Sequence, residues 1–237
     1  MILDPLYWVL IGVGMLLSLW AQFRVKSAYA HYSRVASRSG LTGAEVAQRI
    51  LEVSGISGVR IEGIRGSMTD HYDPRTRTLR LSEGVFDGRS IAAAGIAAHE
   101  VGHAIQDAHH YSPLRFRSAW VPVANLGGGL SMAVIVAALA TGGAATVTGQ
   151  SLATVGLLMF ATTTVFTLIT LPVEFDASRR ALATLESRVL PKDEIAGARR
   201  VLSAAALTYV AAFVSSLLTL AYWLVRLGMV GGSRNRR

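Results

Sequence analysis

From Ser118 to Val173 the chain carries no charged side chain. An uncharged run of this length is too long for the core of a small soluble fold to absorb, because too little polar surface remains to cover it. A bilayer core takes about 20 apolar residues per helix, so the run fits two crossings. The Gly/Thr-rich stretch "TGGAATVTGQS" at 141–151 divides it. Shorter uncharged runs, Pro5–Phe23 and Val201–Val225, fit one crossing each. Four transmembrane helices are therefore predicted, near 5–23, 118–140, 152–172 and 203–225. The composition agrees, with 51% hydrophobic and only 16% charged residues.

The net charge of +8 suggests nucleic acid until the basic residues are placed. Thirteen of the 23 Lys/Arg lie in 24–117 and six in 179–200. Both segments flank predicted spans, as the positive-inside rule asks of cytoplasmic loops. The expected organisation is an N-terminal anchor (1–23), a cytoplasmic segment (24–117), a transmembrane hairpin (118–172), a cytoplasmic helix (173–202), a fourth span (203–225) and a basic tail (226–237). The N-terminus and the 141–151 turn then face outward, in the plasma (inner) membrane. Arg226, Arg234, Arg236 and Arg237 oppose this orientation, and nineteen against four decides it. No nucleic acid is expected as a partner. Trp8, Trp20, Trp120 and Trp223 lie near predicted helix ends, where interfacial aromatics belong. The first apolar segment lacks a basic n-region and a small-x-small cleavage site, so it reads as a retained anchor. The absence of cysteine excludes disulfides, thiolate metal sites and a cysteine nucleophile.

Within 24–117, "VKSAYAHYSRVASRSG" spaces basic and aromatic residues as a helix running from the membrane or along its surface, with His31 an ordinary interfacial side chain. "LTGAEVAQRILEVSG" opens with a capping box, Thr42 and Glu45, and closes at Gly55. Its buried face is expected to be Ala44, Ala47, Ile50 and Leu51. "VRIEGI" and "TRTLRLS" alternate as strands, separated by a turn at Asp73-Pro74-Arg75. Ser90 is an N-cap for a helix from Ile91 to about His109.

That helix contains "AAHEVGHAIQ". It is small or apolar on every face except for His99, Glu100 and His103, and a buried carboxylate requires partners. Residues i and i+4 lie on one face, about 6 Å apart along the axis. His99 and His103 can thus each place a ring nitrogen about 2 Å from one Zn²⁺. Glu100 points beside the metal, where a general base acts. A catalytic zinc takes three protein ligands and leaves a fourth position open. His109 has the metzincin spacing, H-E-x-x-H-x-x-G-x-x-H, but Gln106 stands where that pattern needs a glycine to turn the chain. His110 faces the right side but lies about 10 Å beyond His103. Glu174, in "LPVEFDASRRA", returns to the membrane face from which the hairpin left, and Pro172 suits the first turn of a new helix there. Asp176 is the weaker rival, pointing roughly opposite to Glu174.

"GLTGAEVAQRIL", "DHYDPRTRTLRLSEGVF", "AAHEVGHAIQ" and "LPVEFDASRRA" in this order resemble the YugP-like family of membrane-embedded zinc metallopeptidases, relatives of the HtpX-type and CAAX-prenyl-protease gluzincins. The resemblance covers about residues 30–220. It implies a mainly α-helical membrane protein with about four transmembrane helices and a small α+β cytoplasmic gluzincin-like domain. It implies one catalytic Zn²⁺ held by His99, His103 and Glu174, with Glu100 as base. HtpX-type relatives carry an aspartate four residues after the ligand glutamate; here Ser178 stands there and Asp176 two residues earlier, so outer-shell support falls to one of these. By analogy with gluzincins a substrate strand would lie along the edge near 67–72, with His71 or Tyr72 facing the oxyanion.

The expected function is an endopeptidase cutting protein or peptide substrates at the cytoplasmic membrane surface. A membrane scaffold or adaptor with a structural zinc is the alternative. Gly127–Gly129 and the small residues of 131–145 could pack helices within one chain, in a homo-oligomer or against another membrane protein. A transporter is disfavoured, since the spans hold almost no ionisable residues.

Overall fold

The computed structural model describes residues 4–227. Its elements are α1 (Pro5–Tyr32), α2 (Gly43–Val53), β1 (Arg60–Ile64), β2 (His71–Asp73), β3 (Thr78–Ser82), α3 (Glu83–Phe86), α4 (Ile91–Ala108), α5 (Ser112–Ala140), α6 (Val147–Arg188) and α7 (Ile195–Arg226), with a 3-10 turn at Gly143–Ala145. Four helices, α1, α5, α6 and α7, are long and apolar enough to cross a membrane. The fold is thus mainly helical with four membrane-spanning candidates and one small sheet.

The chain divides into two compact units. The first comprises the described residues of Met1–Trp20, Phe116–Thr170 and Tyr209–Arg237. Many of its large apolar side chains point outward, among them Leu16, Leu126, Leu158 and Leu168, as a lipid solvent permits. Inside, Gly127 of α5 faces Thr162 and the Met159 carbonyl of α6 too closely for any Cβ, and Gly156 faces Ile135. Small residues therefore set the spacing of this hairpin, as they do where lipid gives helices no hydrophobic drive to associate. Threonine hydroxyls bond back to their own helix, for instance Thr154 to the Gln150 carbonyl at 2.9 Å and Thr170 to that of Phe166 at 2.8 Å. Trp223 is fully buried with Ile135, Ala138 and Leu157, so it is a core residue and not the interfacial aromatic expected from its place in the sequence.

The second unit comprises Ala21–Arg115 and Leu171–Thr208. Its sheet has the order β1-β3-β2, with β1 parallel and β2 antiparallel to β3. Central β3 is buried along most of its length, whereas β2 is an edge. The strand expected near 67–72 is confined to His71–Asp73. α2 has the expected capping box: the Thr42 hydroxyl accepts from the Glu45 N–H at 3.1 Å and Glu45 accepts from the Thr42 N–H at 2.7 Å. Its buried face is Gly43, Val46, Ala47, Ile50 and Leu51; Val46 takes the place expected for Ala44, which is only half-buried. α4 runs through the core of this unit, packed with Val46, Ile50, Leu79, Leu81, Ala181 and Leu185.

Residues 24–32 continue α1 without a break, and Pro172 lies inside α6 and opens no new helix. A mid-helix proline removes one backbone hydrogen bond and often kinks a helix, yet within apolar helices packing neighbours sustain it. Arg234, Arg236 and Arg237 lie outside the described residues.

Candidate metal centre

α4 is capped by the Ser90 hydroxyl, which accepts from the Ala93 N–H at 3.1 Å. It ends at Ala108 because His110 adopts a left-handed conformation, φ 52°, while the Tyr111 N–H returns to the Gln106 carbonyl at 2.9 Å. This pairing closes a helix in the manner of a Schellman turn. It leaves His109 at the cap and turns His110 out of the helix, so neither histidine joins a metal group. His109 instead lies 3.4 Å from an Arg180 Nη1. His31, on α1, is exposed and also remote from the group.

Gly102 lies between the motif glutamate and the second histidine. A Cβ there would press into the backbone of Ala177, so the glycine is what lets α6 approach α4 this closely. The approach carries Glu174 to the histidines. His99, His103 and Glu174 each offer a ligand atom within 4.8 Å of the others. The Glu174 Oε2 stands 3.2 Å from His99 Nε2 and 3.5 Å from His103 Nε2. Donors about 2.0–2.1 Å from a tetrahedral zinc are about 3.3 Å from one another, so these separations fit one ion. Two imidazoles and one carboxylate are also a chemically suitable donor set for zinc. Among the described residues no fourth His or acidic side chain joins the group.

The far nitrogens of both histidines are occupied. His99 Nδ1 lies 3.1 Å from the Ser178 hydroxyl. His103 Nδ1 lies 3.0 Å from Gln106 Oε1. The Gln106 amide donates in turn to the Val173 carbonyl at 2.8 Å and to Asp176 Oδ2 at 2.9 Å. Asp176 is buried and also accepts from Arg180 Nε at 2.5 Å and from Arg179. It does not face the histidines. Each imidazole is thereby held with Nε2 toward Glu174, the arrangement by which outer groups orient metal-binding histidines. In the sequence Gln106 stands out only as the residue that breaks the metzincin pattern. Its amide is the hinge of this network, and its place three residues after His103, on the same helix face, was the available signal.

Glu100 is buried, and its Oε2 accepts the Tyr72 backbone N–H at 3.1 Å. Burial pushes its carboxyl up to about 7; His99 opposes the shift and the neighbouring Glu174 carboxylate adds to it. The Tyr72 hydroxyl donates to Asp107 Oδ2 at 2.9 Å, and burial together with this bond raises the phenol well above its ordinary value. His71 is exposed, with Nδ1 2.8 Å from the Thr69 carbonyl. Edge strand β2 thus meets the histidine helix through the backbone of Tyr72.

The family model described as "Putative neutral zinc metallopeptidase" matches residues 7–228. The "Putative membrane protease YugP" of Bacillus subtilis (strain 168) is 46% identical over 205 residues, covering 86% of this chain and 88% of the relative. No solved structure matches.

Proposed function

The chain belongs to the neutral zinc metallopeptidase family matched over residues 7–228, and on that premise we propose that it is a membrane endopeptidase, with His99, His103 and Glu174 as zinc ligands and Glu100 as general base. The observation that carries this reading is the three-sided donor group beside a buried carboxylate. A structural zinc would be closed by four protein ligands, whereas a catalytic one keeps a position open. A scaffold would also have no use for a buried carboxylate that is not a ligand. When bound, zinc supplies Lewis acidity toward the scissile carbonyl and lowers the pKa of water toward neutrality.

The chain's own groups supply the rest. The Tyr72 N–H fixes Glu100 by Oε2, which leaves Oε1 to take a proton from the attacking water and hand it to the leaving amine. A carboxyl near neutrality can do both, because it gains and loses a proton at similar cost. Gln106 holds the His103 imidazole in one tautomer, and Ser178 and Gln106 hold the two rings in one orientation. The free edge of β2 can receive an extended peptide as an added strand. Substrates are then protein segments presented at the cytoplasmic face of the plasma membrane, the side on which the basic segments belong.

The test is the Glu100→Gln variant in the full chain, with bound zinc and peptide cleavage measured together. We expect zinc retained near one per chain and kcat reduced at least about a hundredfold, the usual contribution of a positioned acid–base group. Cleavage at the parental rate would exclude Glu100 as the base.

A further inference from the structure

Away from the metal centre, the second unit has an open groove of about 530 Å³ between the end of α1 and the start of α7. Phe23, Arg24, Ser27, Ala28 and His31 line it from α1, and Arg199, Arg200, Ser203 and Leu207 from α7. These lie at helical spacing on facing surfaces. No acidic side chain lines the groove. Among the described residues, Arg24 and Arg199 have no ion-pair partner, and Arg200 donates only to the Tyr32 hydroxyl, at 3.0 Å. Elsewhere in the unit Arg38 pairs with Asp193 and Glu194, and the partly buried Arg80 with Glu62 and Asp73. Three cations left together without a counter-charge call for an anion.

The position of these cations says which anion. Arg24 is the first charge after the uncharged run 5–23, and Arg199 and Arg200 are the last before the uncharged run 201–225. They therefore bracket two predicted spans at a membrane surface, where lipid phosphates lie. The groove also mixes apolar side chains, Phe23, Ala28 and Leu207, with the arginines, His31 and the serine hydroxyls. An amphiphile would set its chain against the former and its headgroup among the latter. A soluble phosphate would have no use for the apolar side chains.

We propose that this groove binds the phosphate headgroup of an anionic membrane phospholipid, clamped by Arg24, Arg199 and Arg200 with Ser27 and Ser203 as further donors. Arginine presents a planar fork of donors that matches phosphate oxygens. Basic pockets between membrane helices recognise anionic headgroups by this chemistry. The proposal rests on the helices crossing a membrane but not on zinc or on proteolysis, so it is tested without either.

The experiment uses the full chain in a neutral detergent, titrated with phosphatidylglycerol and separately with phosphatidylcholine, with bound lipid counted by native mass spectrometry. Phosphatidylglycerol should be retained and phosphatidylcholine should not. Arg24→Gln/Arg199→Gln/Arg200→Gln should lose about a hundredfold in affinity, at roughly fivefold per arginine. Arg60→Gln/Arg65→Gln/Arg75→Gln, with the same change in net charge, should bind as the parent does. Arg199→Gln alone, expected to weaken binding about fivefold, keeps the test decisive if the triple variant does not fold. Millimolar inorganic phosphate should not displace the lipid. Equal losses in both triple variants, equal retention of the two lipids, or displacement by free phosphate would each overturn the proposal, the last by revealing a site for soluble anions.

Discussion

At the scale of single residues, the histidine that would bind zinc depends on a neutral amide. Gln106 accepts from His103 Nδ1 with Oε1 and donates from Nε2 to Val173 and Asp176, so it is satisfied only when the imidazole carries its proton on Nδ1. That tautomer leaves the Nε2 lone pair free for a metal. Gln106→Leu conserves volume and removes all three bonds. It should weaken zinc about 10–100-fold, as loss of such partners typically does. Competition against a chromogenic chelator measures this, and unchanged affinity would assign Gln106 to packing alone. The motif residues themselves were legible because their spacing is local: i, i+1 and i+4 on one helix need no tertiary knowledge. So were the Thr42 and Ser90 caps, which act within three residues. Gln106 was not, because its partners lie some seventy positions away on α6.

At the scale of elements, the site is a problem of how closely two helices approach. α4 supplies the histidines and α6 the glutamate, and their backbones meet where Gly102 faces Ala177. Gly102→Ala places a methyl against a backbone that cannot rotate away, so α6 must shift or the core must strain, at about 1–3 kcal/mol. We expect lost zinc retention together with a lower melting temperature. Gly95, on the same helix, has 3.6 Å to Ala198, an ordinary contact distance. Gly95→Ala should therefore be neutral or slightly stabilising, given the better helix propensity of alanine. If both variants behave alike in thermal melts and zinc retention, close approach at Gly102 is not what forms the site. Apolar patterning marks α4 and the membrane part of α6, but Pro172 by local preference belongs to the first turn of a new helix. The unbroken helix depends on packing around that residue, which local preference does not record. The strand order β1-β3-β2 was equally hidden, because alternation identifies strands and not their neighbours.

At the scale of the whole molecule, the open matter is which way the chain crosses. Four arginines after the fourth span opposed the orientation that nineteen basic residues favour. In the first unit Arg226 Nε lies 3.7 Å from Asp4 Oδ2, and the same carboxylate accepts the Tyr222 hydroxyl at 3.0 Å. The pairing puts the start of α1 and the end of α7 at one end of that unit, as an even number of crossings requires. The chain is free of cysteine, so single cysteines can report each side without background. Gln150, Arg75 and Lys192 are exposed, in the first turn of α6, in the turn between β2 and β3 and before α7. An impermeant maleimide should label Gln150→Cys in intact cells, and should reach Arg75→Cys and Lys192→Cys only after permeabilisation. The reverse pattern would place the histidine helix outside the cell and discard cytoplasmic substrates. Labelling of all three in intact cells would mean that the α5–α6 hairpin does not cross, and the lipid level assigned to Arg24, Arg199 and Arg200 would fall with it.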